Sequence, residues 1–448
     1  MTQRLLVIGG DAGGMAAAAV ARRRKPDLEI VALEKGRWTS YSACGIPYVV
    51  GGDVRSLDQL VARSPQEFRD KLMIDVRTGH EAVALDLDAR RAEVRTNDRT
   101  YRLGFDLLHL ATGGKPRRPP IPGIDGKHVH GVQTLDDAQV LLDEVGSRQI
   151  QNVVVVGGGY IGLELAEAFI KRGSKVTVIE RGPEVMGRTL DPDMGAVVCT
   201  AMRRQGITVY TDEKVVGIES DSVTTEQRTV PADVVLLGLG VEPNTDLAAE
   251  AGVVTGLARA IVVDRRQKTS AEGVCAAGDC CESRSLITGQ TVYVALGTVA
   301  NKQGRVAGVN LSGGYATFPG VIGTAITRLC SVEIGRTGVT EAEATEAGFE
   351  YVVSKIDSTT RAGYFPGAGP IAVKMLVERR TGRVLGAQVA GFEGTAKRID
   401  VLATAITAGM TAEDVVYLDL SYAPPFSPVW DPVQAAARLA LGLLQDRG

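Results

Sequence analysis

Cys44 stands alone in the stretch SYSACGIPY, residues 40–48, and the other five cysteines are at 199, 275, 280, 281 and 330. A thiol in that setting is a packing residue, half of a distant disulfide, or a nucleophile acting as its thiolate. No CxxC spacing is present, so neither a zinc site nor a neighbouring dithiol is indicated, and no metal is expected. Cys280 and Cys281 are adjacent, but a disulfide between neighbours is strained, so no redox role is expected of them. Cys44-Gly45 reads as a helix start. The positive end of a helix would lower the thiol's pKa.

Two other stretches carry chemistry of a different kind. GGGYIG places Gly157, Gly159 and Gly162 in a GxGxxG spacing between an apolar strand and a helix, and a second strand ends at Glu180. Glycines there allow the tight turn, the approach of a pyrophosphate and the contact of helix with strand. The helix N-terminus then faces the phosphates, and the acid takes ribose hydroxyls, which favours NADH. Arg181 and Arg188 lie nearby and leave NADPH open. GGDAGG repeats the pattern at Gly9, Gly10, Ala12 and Gly14, with Glu34 and Lys35 closing the next strand. Asp11 replaces its middle glycine. An acid beside a pyrophosphate is tolerable only if its side chain turns away.

Two such βαβ units in one chain predict two bound nucleotides and at least two domains. After about residue 318 the texture changes to a third, α+β region, in which RRTG (379–382) reads as a hairpin turn. The 448 residues are 44% hydrophobic and 23% charged, with a net charge of −3, which argues against a general nucleic-acid binder. No apolar run is long enough to span a membrane, and the N-terminus has no signal-peptide pattern. Sparse cysteine usage fits a reducing, cytoplasmic setting.

These segments together resemble the flavoprotein pyridine nucleotide–disulfide oxidoreductases. The resemblance covers nearly the whole chain. It rests on GGDAGG with Glu34, ATGGKPRRPPIPG (111–123), GGGYIG with Glu180, GVEPN (240–244) and AAGDCCE (276–282). It implies an α/β fold with two Rossmann-like domains, for FAD (1–112 and 245–318) and NAD(P)H (113–244), plus a C-terminal α+β dimerisation domain (319–448). Thr112, Gly113, Asp279 and Ala295 would then face FAD, with Asp279 on the ribityl chain. Tyr160, Ile161, Glu164 and Gly240 would face the nicotinamide nucleotide. Tyr160 would be displaced on binding, and Glu164 would steady the nicotinamide amide.

SYSACGIPY, TRAGYFPGA (360–368) and SYAPPFSPVWDPV (421–433) are most similar to the coenzyme A disulfide reductase subgroup. That likeness implies one redox cysteine, Cys44, forming a mixed disulfide with coenzyme A. Tyr364 and Tyr422 would close over it from the partner subunit of a homodimer. Arg22, Ser40, Arg63 and Lys71 would bind the substrate, whose phosphates need a basic pocket. Dithiol members need a second nearby cysteine and a C-terminal histidine, but all four histidines here lie at 80, 109, 128 and 130. The peroxidase and oxidase branch carries a histidine where this chain has Ala12. Reduction of a coenzyme A disulfide, persulfide or polysulfide is the leading expectation. An NADH oxidase cycling Cys44 through a sulfenic acid and a flavin-bound, NADH-responsive signalling protein are the alternatives.

Overall fold

The computed structural model describes residues 3–445. Two parallel five-stranded sheets carry the two glycine turns. In the first, strand Arg4–Ile8 lies at the centre between Glu29–Glu34 and Leu107–Leu110, with Asp75–Thr78 and Val274–Ala276 at the edges. In the second, Asn152–Val156 is central between Lys175–Ile179 and Val234–Leu237, flanked by Thr208–Tyr210 and Val129–His130. Each central strand is an apolar run because helices and loops cover both faces of a parallel sheet. Val153, Val154, Val155 and Val156 are all buried.

The glycines close the turns by sterics. Gly9 has φ +110°, and a side chain there would put its Cβ 2.0 Å from the Ala111 carbonyl oxygen. Gly157, at φ +96°, would meet the Gly238 oxygen at 2.6 Å. Only glycine fits such a conformation at such a distance. Each turn feeds a helix, Ala12–Arg24 in the first unit and Tyr160–Lys171 in the second.

The chain enters and leaves the second unit along a two-stranded ribbon, Gly114–Pro116 against Val241–Pro243, beside the expected boundaries at 113 and 244. Thr112 Oγ1 donates to the Asn244 carbonyl across its base. The C-terminal region is a five-stranded antiparallel sheet in the order Ala325–Leu329, Val332–Gly338, Val384–Gly391, Pro370–Glu378, Tyr351–Thr359. The turn at 379–382 joins two of these strands, with Gly382 at φ +71°. Helix Pro432–Gln445 packs on that sheet through Val433, Ala436, Ala437 and Ala440, an i, i+3, i+4, i+7 stripe that is fully buried.

The three units meet around helix Tyr160–Lys171. It packs on helix Ile46–Val50 of the first unit and on strand Ala325–Leu329 of the C-terminal sheet. Among the described residues, no helix is long and apolar enough to cross a membrane.

Candidate active site

Cys44 lies in a 3-10 turn, Ala43–Gly45, that runs into helix Ile46–Val50. Backbone bonds pin this segment on both sides. Ser40 N donates to the Gly10 carbonyl at 2.9 Å, and Ala62 N donates to the Ser40 carbonyl at 2.8 Å. Ser40 adopts a left-handed φ of 49° to make that bend. Gly45 leaves room for Leu60: a Cβ would lie 2.3 Å from Leu60 Cδ2 and push that side chain aside.

Asp11 supplies a third tie. Its Oδ1 accepts from the Tyr41 backbone N–H at 3.0 Å, so the side chain leaves the glycine turn and reaches the cysteine segment. Burial raises its pKa to about 6, against the pull of that hydrogen bond, and the Glu34 and Asp279 carboxylates add to the rise.

The six cysteines are free thiols, and Cys44 is the exposed one. The expected lowering of its pKa is corrected by the structure. Desolvation in the cleft raises it, and the Glu164 and Asp279 carboxylates raise it further. The helix that follows Cys44 has five residues and no side-chain cap, so its dipole is too small to outweigh two facing acids. Cys280 and Cys281 are buried, with sulfurs 3.7 Å apart, and form no disulfide.

The predicted flavin residues come together around this segment. Glu34 Oε2 accepts from Gly10 N at 2.8 Å and Oε1 from Gly36 N at 2.7 Å. Each oxygen keeps a lone pair for a ribose hydroxyl. Ala12 and Gly14 open the helix, Lys35 is exposed beside Glu34, and Gly113 turns at φ +68°. Asp279 is half-buried, and burial alone raises its carboxyl to about 6. Gln303, itself buried, accepts from Gly278 N at 2.9 Å and fixes the turn before it. Ala295 precedes helix Gly297–Leu311, whose N-terminus has no side-chain cap and is exposed at Gly297 and Thr298. A glycine cradle, a ribose acid, an acid without a cation and an open helix N-terminus fit FAD.

The second turn repeats the first. Glu180 Oε2 accepts from Gly158 N and Oε1 from Gly182 N, both at 2.8 Å. Gly159 is the N-cap, and a Cβ on Gly162 would meet the Gly157 oxygen at 2.3 Å. Gly240 has φ +80° and open space around it. Ile161 follows Tyr160 into the helix. The Tyr160 hydroxyl is buried without a hydrogen-bond partner, and burial raises its pKa to about 12. One turn on, Glu164 accepts from Thr327 Oγ1 at 2.7 Å, and desolvation raises its pKa. These residues fit a nicotinamide nucleotide.

Of the four predicted substrate residues, Ser40 and Arg63 are neighbours, since Ala62 N donates to the Ser40 carbonyl and Arg63 follows it. The Arg63 guanidinium lies 5.2 Å from the Phe68 ring centroid. Lys71 is exposed and paired with Glu67 at 2.8 Å. Arg22 is buried, and its guanidinium donates to the Pro26 and Met73 carbonyls, the latter at 2.8 Å. Here it clamps helix Ala12–Arg24 to the end of helix Pro65–Leu72, and desolvation lowers its pKa. Tyr364 and Tyr422 lie side by side but face outward, 78% and 48% exposed. Phe426, Val429 and Trp430 extend that apolar rim. Neither tyrosine is among the groups that shift the Cys44 thiol.

Sequence reasoning missed Asp11 as a tie to the cysteine segment, and Thr327 and Gln303 as supports of the site. Thr327 and Glu164 are 163 positions apart, so no local pattern announces them. Gln303 alone left a trace, as a polar residue on the buried face of an otherwise small and apolar helix stripe.

Residues 3–304 match the family model described as pyridine nucleotide-disulphide oxidoreductase, and residues 324–432 match its dimerisation domain. The chain belongs to the pyridine nucleotide-disulphide oxidoreductase family. Among its relatives is the NAD(P)H coenzyme A polysulfide/persulfide reductase of Pyrococcus horikoshii, 38% identical over 443 residues and covering 98% of each chain. An NADH oxidase of Methanocaldococcus jannaschii is 36% identical, covering 99% of this chain and 100% of the relative. A solved NAD-dependent persulfide reductase from A. fulgidus superposes with a TM-score of 0.95 at 39% identity, covering 98% of this chain and 83% of that one. The mixed α/β architecture with Rossmann-like parallel sheets and the assignment as an oxidoreductase of this FAD-dependent family hold.

Proposed function

We propose that this protein reduces coenzyme A disulfide, or a coenzyme A persulfide or polysulfide, with NAD(P)H, through Cys44 as its single redox thiol. One observation carries the reading. Cys44 is the exposed thiol of the six, and its segment is tied by Ser40 and Asp11 to the first glycine turn while Glu164 of the second unit faces it. The names of the Pyrococcus and A. fulgidus relatives support the substrate class.

FAD, when bound, supplies a two-electron carrier between nicotinamide and disulfide. The chain's own residues do the rest. Glu34 holds the ribose, Asp279 holds the sugar-alcohol chain, and the N-terminus of helix Gly297–Leu311 stabilises negative charge at its end. Tyr160 stands aside for the nicotinamide, and Glu164 accepts from its amide. Cys44 as thiolate attacks the substrate disulfide and one R–S⁻ leaves; the single electron pair that NAD(P)H supplies then cleaves the mixed disulfide Cys44–S–S–R, releasing the second R–S⁻ and restoring the Cys44 thiolate. Tyr364 and Tyr422 of a second copy order or donate the leaving thiol's proton, which makes the working unit a homodimer. Ser40, Arg63 and Lys71 line the substrate's path, and Arg22 joins them if its backbone bonds open. Glu180 favours NADH, while Arg181 and Arg188 leave room for a 2′-phosphate. Free thiols throughout suit a reducing cytoplasm.

The test is anaerobic reduction with NADH, then addition of coenzyme A disulfide, polysulfide or air. Prompt re-oxidation by the coenzyme A species is expected. Re-oxidation by air alone would install the oxidase reading, which the Methanocaldococcus relative favours. No re-oxidation by any of them would point to a sensor.

A further inference from the structure

The segment after Glu180 folds back over the second glycine turn. Met186 N donates to the Gly158 carbonyl at 2.9 Å, and a Cβ on Gly158 would meet Val185 Cγ1 at 2.7 Å. Val185, Met186 and Leu190 are buried. Thr189 lies beside the Tyr160 phenol but gives its hydroxyl proton to the Met186 carbonyl at 2.9 Å. The floor of the nucleotide site and the neighbour of its gate are therefore one short segment, 184–190.

That segment ends at Asp191, whose carbonyl opens helix Pro192–Arg204 while its N–H and side chain are keyed to the C-terminal domain. Asp191 N donates to Gln388 Oε1 at 2.8 Å, Gln388 Nε2 donates to Asp191 Oδ2 at 2.7 Å, and Glu341 N donates to Asp191 Oδ1 at 3.0 Å. Lys374, 3% exposed, places its ammonium 3.1 Å from Asp191, 2.6 Å from Asp193 and 2.5 Å from Glu341. The three carboxylates converge within 4.8 Å of one another, a spacing that needs positive charge; Lys374 is the buried cation that meets all three, and Lys355 adds a contact to Asp193 at 3.0 Å. An uncompensated cluster of this kind in a domain junction would push the two units apart.

We propose that Lys374 is a positioning residue for the nicotinamide half-site: it fixes segment 184–190, and with it the pyrophosphate turn and the Tyr160 gate, against the C-terminal domain. The inference rests on the functional reading above and adds a residue in another domain to it. It predicts an effect confined to one half-reaction, because the Cys44 segment is held by other ties.

The experiment compares wild type with Lys374→Met, Lys374→Arg and Asp191→Asn, all as FAD-loaded enzyme. Rapid mixing follows flavin reduction by NADH. Separately, dithionite-reduced enzyme is mixed with the disulfide. Lys374→Met and Asp191→Asn should weaken NADH binding about tenfold, as a displaced half-site would. Re-oxidation by disulfide should stay within about twofold of wild type, and Lys374→Arg should recover part of the loss. Equal losses in both half-reactions, or no loss in either, would overturn the proposal. If Lys374→Met fails to hold flavin, the near-isosteric Asp191→Asn decides. Wild-type flavin that NADH cannot bleach would instead defeat the functional reading itself.

Discussion

The two glycine-turn units are built alike and used differently. Both centre an apolar strand, both forbid a Cβ at the turn, and both spend one lone pair of each glutamate oxygen on a backbone N–H. They diverge at three positions. Where the second unit has Gly159, Tyr160 and Ile161, the first has Asp11, Ala12 and Gly13. Asp11 turns its carboxylate away from the turn to hold the cysteine segment, so the first glycine turn and the thiol's segment are directly joined. Tyr160 puts a buried phenol without a hydrogen-bond partner at the start of the second unit's helix, a group that can move with little loss. On the proposed function, that difference suits the first turn to a resident cofactor and the second to a ligand that comes and goes.

The largest break in that comparison comes from the turns themselves. Gly157→Val should leave flavin bound and cut its reduction by NADH by about a hundredfold, since the displaced backbone no longer fits a pyrophosphate. Gly9→Val should yield protein without flavin. Absorbance at the flavin band and rapid-mixing reduction check both. Equal effects on flavin content would mean that the two units are not specialised as argued.

A smaller effect tests the acids that face the thiol. Glu164→Gln removes a carboxylate that raises the Cys44 pKa, so alkylation of Cys44 near pH 8 should quicken a few-fold, while the Thr327 bond can persist. Unchanged alkylation would show that desolvation alone sets the thiol.

Asp11→Asn should have the smallest effect at low pH. The folded-state pKa of Asp11 is raised from 3.8 to about 6. Folding therefore favours its protonated form, and that stabilisation is present below about pH 4 and is lost as pH rises through 6. Asparagine keeps the acceptor for Tyr41 N and carries no charge. Thermal stability and flavin retention of the variant should exceed wild type at pH 8 and converge with it near pH 4. The reverse order would contradict the burial argument.

The sequence made legible what is written in local periodicity and steric need. Both glycine turns, Glu34 and Glu180, the Cys44 stretch, the change of texture near 318 and the hairpin at 379–382 are contiguous signals, each a few residues long. What it hid are pairings across domains. Lys374 and Asp191 are 183 positions apart and meet only because the C-terminal sheet lies against the start of helix Pro192–Arg204. Arg22 reads in sequence as a cation for the substrate's phosphates, and tertiary packing buries its guanidinium on the Pro26 and Met73 carbonyls. The sign of the Cys44 shift was misread for the same reason: a helix start is visible in sequence, and the facing carboxylates of Glu164 and Asp279 are not.

Cys44→Ser puts the claim of a lone relay thiol most directly at risk. With NADH the variant's flavin should bleach as in wild type, and re-oxidation by coenzyme A disulfide should fall to background. Undiminished re-oxidation in the serine variant would contradict the account.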